Sequence, residues 1–251
     1  MRRDRKVTMN ADLFDAMRTC RAMRRYEPRD VPQETIDELI DLAIRAPSAG
    51  NAQNWTFVVV RDPTVKHALA EEVRKGTRWK ASLEELRITG AVRRRLVDAD
   101  EGSQMRRAVS AFRRLADHFE EIPVVVCVCV EGGSGAVPGV GLTVTLRGAV
   151  GEYGVWGTLR FALAGRGFVA QGRWASAYPA VQNLLLAARG MGLGAVLTTP
   201  QLLGPPGRIE KVLGIPKGVG LAAVIPVGYP KGRFGSVRRL PAKVFKDRYG
   251  G

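Results

Sequence analysis

Ala46-Pro47-Ser48-Ala49-Gly50-Asn51-Ala52-Gln53-Asn54-Trp55 sets hydroxyl and amide side chains between two elements of different period. Upstream, Ile36, Leu39, Ile40 and Ala43 recur at helical spacing between Pro32 and Ala46, with Pro32 suited to a first turn and Pro47 ending the helix. Downstream, Thr56-Phe57-Val58-Val59-Val60 reads as a strand closed by the turn Arg61-Asp62-Pro63. Within the loop Ser48 can donate and accept, Asn51 and Gln53 each offer both functions of an amide, and Trp55 adds an aromatic face. Such a set matches the edge of a flat heterocycle bearing carbonyls and ring nitrogens. The same residues also suit a plain connection in which Ser48 and Asn51 only satisfy backbone groups.

Two further stretches extend the pattern. Cys20-Arg21-Ala22-Met23-Arg24-Arg25-Tyr26-Glu27-Pro28 follows a short amphipathic helix, opened by Asn10, whose Leu13, Met17 and Cys20 are expected to face inward. Three arginines where the chain turns extended before a proline can present guanidinium forks to a phosphate, or form a solvated basic turn. The tail carries Gly192-Leu193-Gly194-Ala195-Val196-Leu197-Thr198-Thr199-Pro200, then Leu213-Gly214-Ile215-Pro216, Ala222-Ala223-Val224-Ile225-Pro226-Val227-Gly228-Tyr229-Pro230 and Arg238-Arg239-Leu240-Pro241.

Taken in this order, the stretches resemble the FMN-dependent nitroreductase family, and the tail is most similar to actinobacterial oxidoreductases of that family. The resemblance runs over residues 11–66 and 174–249. It implies an α+β fold, a mixed central sheet flanked by helices, in an intertwined homodimer with active sites at the interface. It implies FMN, whose ribityl phosphate falls to the stretch Arg21, Ala22, Met23, Arg24 and Arg25 and to Arg238 and Arg239. Pro47, Ser48, Ala49, Asn51 and Gln53 map onto flavin contacts from the partner subunit, and Leu197, Thr198 and Thr199 onto the segment beside N5. Two positions depart from the pattern: Asn54 replaces a proline, and Ala22 stands where many members have serine.

The implied activity is a ping-pong hydride transfer from NAD(P)H, as cosubstrate, to a small-molecule electron acceptor such as a nitroaromatic or quinone. The flavin carries the chemistry, so no catalytic side chain is assigned. Within the same fold the sequence also admits a reductive dehalogenase, a deazaflavin-fed relative, a flavin-consuming enzyme and a non-catalytic flavin-binding or storage protein.

Composition bounds these readings. The 251 residues, 45% hydrophobic, suffice for a sizeable core. The chain reads as a basic N-terminal tail, 1–10, and a single domain, 11–251, with a poorly matched excursion at 75–173. No apolar run approaches a membrane span, and a cytoplasmic protein is expected. Cys20, Cys127 and Cys129 lack metal-ligand spacing and read as reduced, buried thiols, the latter two on one face of a strand from Val124 to Val130. Only two histidines, His67 and His118, are present, too few in suitable company for a zinc site or a Ser-His-Asp hydrolase.

The net charge of +15 keeps polyanion binding in view, through Arg93-Arg94-Arg95, Arg106-Arg107 and Arg113-Arg114. Val109, Phe112, Ala116 and Phe119 recur at helical spacing, however, and leave those arginines on a solvated face. Nucleic acid is not expected as the partner; a phosphate-bearing nicotinamide or another acidic cosubstrate accounts for part of the charge. Glycines from Gly132 to Gly172 lack a dinucleotide fingerprint and read as a loop excursion with a helical portion from Val155 to Leu163. A helix from Ser176 to Arg189, with Val181, Leu184, Leu185 and Ala188 inward, is expected to end at Gly190 and Gly192.

Overall fold

The computed structural model describes residues 12–131, 142–237 and 239–250. Helix α1 spans Leu13–Thr19, α2 Gln33–Ala43, α3 Pro63–Arg93, α4 Ala99–Asp117, α5 Leu142–Gly190 and α6 Arg208–Val212. The strands are β1 (Trp55–Val60), β2 (Val124–Val130), β3 (Gly194–Ala195) and β4 (Gly220–Gly228), in the sheet order β1-β2-β4-β3. Helices flank the sheet on both faces, and the fold is α+β. The expected mixture of strand directions is corrected: among the described residues all three strand pairings are antiparallel. Between β1 and β2 the chain makes two long helical passes, α3 and α4, which pack on each other. A return through two passes reverses the next strand, whereas a single crossover helix would leave it parallel.

Strand β2 holds the layers together. Val125, Cys127 and Cys129 enter one apolar cluster with Leu69, Ala70 and Val73 of α3, Leu115 and Ala116 of α4 and Ile209 of α6. Val124, Val126 and Val128 enter the other, with Ile36, Leu39 and Ala43 of α2 and Val181, Leu184 and Ala188 of α5. All seven residues of β2 are buried. Burial pushes both thiols up, that of Cys129 to about 11, so neither is a thiolate near neutrality.

The helix before the loop is shorter than expected. It ends at Ala43, and the next three residues tighten into turns, with Arg45 N–H donating to the Leu42 carbonyl (3.3 Å) and Ala46 N–H to that of Ala43 (3.2 Å). A residue preceding proline is disfavoured from the helical region, which ends the regular helix before Pro47. Helix α1 corrects the reading more sharply: Leu13 and Met17 are 62% and 57% exposed, Ala16 is buried and Cys20 half-buried. The cap is Asp12, whose carboxylate accepts from Asp15 N–H at 2.7 Å; Asn10 lies outside the described residues. The polar edge of α1 meets α5: Arg189 Nη2 donates to Asp15 at 2.8 Å and its Nε to Thr19 Oγ1 at 2.8 Å. Those partners turn the Leu13 and Met17 edge outward.

The excursion is helical throughout its long segments. The loop expected over Gly132–Gly172 is corrected from Leu142 onward, where α5 begins; residues 132–141 lie outside the described residues. Isolated glycines cost a helix only about 1 kcal/mol each, and Gly154 alone in α5 adopts a left-handed φ, 68°, at a kink. The C-terminus of α5 ends as expected: Gly192 has φ 75°, and Leu193 N–H donates to the Ala188 carbonyl at 2.8 Å.

Gly76 is where α3 crosses the turn Pro200–Leu202 and the residue after it. A Cβ there would collide with the Leu203 carbonyl oxygen and lie 2.8 Å from Leu203 Cβ. Gly76→Ala is expected to lower the unfolding free energy by about 1–3 kcal/mol, read from urea midpoints at unchanged m-value. An unchanged midpoint would show that α3 and this turn do not pack as described.

Candidate functional site

After α1 the chain runs extended along the sheet margin. Met23 N–H donates to the Ala195 carbonyl at 3.1 Å, Glu27 N–H to that of Tyr229 at 2.8 Å and Lys231 N–H to that of Arg25 at 2.9 Å, with a bridge between Tyr26 and Pro230. The segment is thus a further margin of the sheet beside β3. Its side chains divide accordingly: Met23 and Tyr26 enter the core on the α3/α4 side, while Arg21, Ala22 and Arg25 are exposed and Arg24 is half-buried. Tyr26 Oη lies 2.5 Å from the Met23 carbonyl and 3.3 Å from that of Pro226, and burial pushes its hydroxyl pKa up.

Arg24 sits where three hollows meet. A small one, about 190 Å³, is lined by Arg24, Leu197, Thr198, Thr199, Phe112, Lys80 and Leu203. A larger cleft of about 510 Å³ runs from Ala22, Met23, Arg24 and Arg25 across to Arg106, Arg107, Ser110 and Arg114 of α4 and to Lys231. A side compartment adds Tyr26, His118, Glu121 and Ile122. Arg24 Nε is buried with no hydrogen-bond partner. A desolvated guanidinium N–H without an acceptor is costly, and an anionic or carbonyl oxygen at this place would satisfy it.

The segment Leu197-Thr198-Thr199 lies across from it, at the margin where β4 is bridged. Thr198 N–H donates to the Val224 carbonyl at 3.1 Å, and Thr198 Oγ1 donates to the same oxygen at 2.5 Å. That hydroxyl is therefore committed to the fold, and Thr198 contributes its backbone position. Leu197 is exposed and Thr199 half-buried.

The loop after α2 lies elsewhere on the molecule. Ser48 Oγ accepts from Gln53 N–H at 3.1 Å, and Gln53 Nε2 donates to Asn51 Oδ1 at 3.0 Å. Ala49 N–H donates to Ser176 Oγ at 3.1 Å and Trp55 Nε1 to the Ser176 carbonyl at 2.8 Å, which seats the loop on α5. Asn51 and Gln53 hold left-handed φ of 53° and 46°. Left-handed backbone at non-glycine residues costs about 1 kcal/mol or more each and clusters at functional sites. Pro47, Ala49, Asn51 and Gln53 are all exposed, and none of them lines the hollows around Arg24.

The sequence-predicted residues therefore fall into separate groups. Arg24, Arg25, Met23 and Ala22 meet Leu197, Thr198 and Thr199 around the two connected hollows. Arg21 is exposed and lines neither; Arg239 is exposed as well, and Arg238 lies outside the described residues. The tail approaches the end of α1, where Val237 N–H meets the Arg18 carbonyl at 3.4 Å. Sequence reasoning missed Lys80, Phe112, Leu203 and Lys231. It also placed the arginines of α4 on a solvated face, and Arg107 and Arg114 are exposed there, with Arg106 half-buried; what it missed is that this face borders the larger cleft. Their spacing at one, seven and eight residues was visible; the partner surface across the cleft was not.

Among the described residues no helix is long and apolar enough to cross a membrane, and no group of three or more His, Cys, Asp or Glu side chains could hold a metal ion.

The family model described as Nitroreductase family matches residues 17–146 and 164–229. The chain is 32% identical over 223 residues to an NADH dehydrogenase of Thermus thermophilus, covering 88% of each chain. It is 27% identical over 229 residues to iodotyrosine deiodinase 1 of Rattus norvegicus, covering 87% of this chain and 62% of that protein. Its fold matches a crystal structure of oxidized iodotyrosine deiodinase bound to FMN and 3-iodo-L-tyrosine, with a TM-score of 0.63 at 21% identity over 95% of this chain and all of the other.

Tyr26 closes the underside of the site, and its hydroxyl is the partner that the structure gives two buried carbonyls. Tyr26→Phe is expected to destabilise the fold by about 1–2 kcal/mol, measured by thermal or urea unfolding. Stability equal to the parent would mean that this hydroxyl is not needed there.

Proposed function

The chain belongs to the nitroreductase family, and from that premise we propose that it is an FMN-dependent oxidoreductase that passes hydride from NAD(P)H to an electron-poor acceptor such as a nitroaromatic or quinone. The observation that carries the reading is Arg24: a buried guanidinium N–H without a partner, facing the Leu197–Thr199 segment and flanked by a basic stretch. Those residues fit a flavin phosphate and a polar ring edge. When bound, FMN supplies the two-electron chemistry.

The chain's own work is binding and polarisation. Arg24 lies where it can hydrogen-bond the flavin and favour negative charge on it. Arg21, Ala22, Met23 and Arg25, with Arg238 and Arg239, are assigned to the phosphate end. Thr198 is locked to β4, so the backbone from Leu197 to Thr199 offers a rigid edge beside the ring. Phe112 and Lys80 stand over the same hollow and help to exclude water.

Pro47, Ser48, Ala49, Asn51 and Gln53 are assigned to the flavin of a second copy of the chain. Two features support a homodimer: this loop is separate from the hollows of its own chain, and large apolar side chains lie open on α1 and α5. Phe14 of α1 and Tyr153 and Trp156 of α5 are 66%, 71% and 79% exposed. Surface of that kind marks association sites. The likeness to iodotyrosine deiodinase 1 favours reductive dehalogenation as a second reading.

The first test is the visible spectrum of the purified protein, then anaerobic addition of NADPH and a quinone. Flavin bands that bleach and return carry the oxidoreductase reading; a colourless protein that FMN cannot reconstitute sinks it. Bands that NADPH leaves intact point to a storage protein or a deazaflavin-fed relative, and release of iodide from 3-iodotyrosine selects the dehalogenase. Arg24→Ala is expected to weaken FMN about tenfold or more and Arg21→Ala to lower flavin retention, both with the fold kept. Full occupancy in either variant would remove that residue from the cofactor site.

A further inference from the structure

Helices α3 and α4 touch at both ends and stand apart between them. At one end Gly102 of α4 lies so close to α3 that a Cβ there would fall 2.7 Å from Val92 Cγ2 and 3.8 Å from Ile88 Cγ2. At the other, Leu115 and Ala116 enter the core with Leu69, Ala70 and Val73 of α3. Along the middle the two helices leave a slot of about 300 Å³. Its α4 wall is Met105, Ala108, Val109 and Phe112, spaced at three, four and seven residues and therefore on one face, and Ala81 and Ile88 line it from α3. The two charged groups that border it answer each other, Lys80 Nζ lying 3.8 Å from Glu84 Oε1, to which Arg87 Nη1 adds at 3.4 Å. Facing apolar stripes of two helices ordinarily interdigitate, and an unfilled space between them forfeits contacts that a guest would restore.

Neither the stretch Arg21–Arg25, nor Leu197–Thr199, nor Lys231 lines this slot, which separates it from the surface assigned to the cofactor. It adjoins the hollow beside Leu197–Thr199 through Lys80 and Phe112, which line both. A ring held in that hollow can therefore send one substituent past Phe112 and along the slot. The walls dictate what that substituent is. They present six apolar side chains, and among the described residues no buried polar side chain without a partner lies on them. A charged or strongly hydrated group would give up its water there with nothing in exchange, whereas an alkyl chain removes apolar surface from water on both sides.

We infer that the slot between α3 and α4 binds an apolar tail, so that the acceptor is a quinone whose ring carries an extended alkyl substituent. The inference rests on the reading of the chain as a flavin oxidoreductase for the place of the ring; the tail takes no part in the electron transfer. Because Gly102, Val92 and Ile88 close the far end, the slot reads the length of the tail as well as its polarity.

The experiment titrates FMN-reconstituted protein by calorimetry with one benzoquinone bearing alkyl chains from methyl to decyl, and repeats the series as kcat/KM with NADPH. Affinity is expected to rise about fourfold per methylene and to level once the slot is full. Ala108→Leu fills the slot and Ala108→Glu charges it; Ala108 is exposed and both replacements are good helix formers. In each variant the gain per methylene is expected to drop below about twofold. Equal binding of all chain lengths by parent protein overturns the inference, and so does a gain that never levels, which is the mark of non-specific partition; both results decide even if neither variant folds. A gain and plateau left untouched in folded variants place the tail elsewhere and also overturn it. The expected series in a protein whose flavin NADPH does not reduce supports the slot and defeats the oxidoreductase reading, whereas NADPH-driven turnover of every quinone with no chain-length gain keeps that reading and defeats the slot.

Discussion

Burial of β2 on both faces is the constraint from which the remainder of the molecule follows. A strand flanked by β1 and β4, with seven residues removed from water, needs apolar cover above and below. Val125, Cys127 and Cys129 draw in α3 and α4, and Val124, Val126 and Val128 draw in α2 and α5. Each valine so buried contributes about 1.5–3 kcal/mol relative to exposure, so the two helical layers are fixed where they stand. The site inherits that rigidity, because its hollows are walled by α4 on one side and by the margin of the same sheet on the other.

The extended segment after α1 connects this core to chemistry. Backbone bonds to Ala195, Tyr229 and Lys231 fix its height on the sheet, with Met23 and Tyr26 turned inward and Arg24 toward the site. Arg24 keeps its charge in a half-buried place with Nε unpartnered, a cost the fold tolerates where a ligand can relieve it. Thr198 is the contrasting case. Its hydroxyl is consumed by the Val224 carbonyl, so it stiffens the site.

Arginines on α4 show how one residue type takes two roles on one helix. Arg113 faces solvent, whereas Arg106, Arg107 and Arg114 line the cleft. Arg106 and Arg113 stand two turns apart and share an angular position, so height along α4 separates them. Net charge alone, +15, could not separate these roles.

The sequence by itself determined the elements whose signal is local. The valine and cysteine run of β2, the apolar spacing of α2, the glycine termination after α5 and the ordered set of motifs from Arg21 to Thr199 were legible because period, proline and glycine act within a few residues. Only the tertiary structure decided which face of α1 docks, because the Asp15–Arg189 pair joins residues 174 apart and outweighs the apolar stripe of a seven-residue helix. It also decided that the glycine-rich stretch from Leu142 is helical, that the strands are antiparallel, and that Phe112 and Lys80 meet Leu197–Thr199. Each of these depends on surfaces brought together from distant parts of the chain, and such contacts leave no periodic trace in the residues that make them.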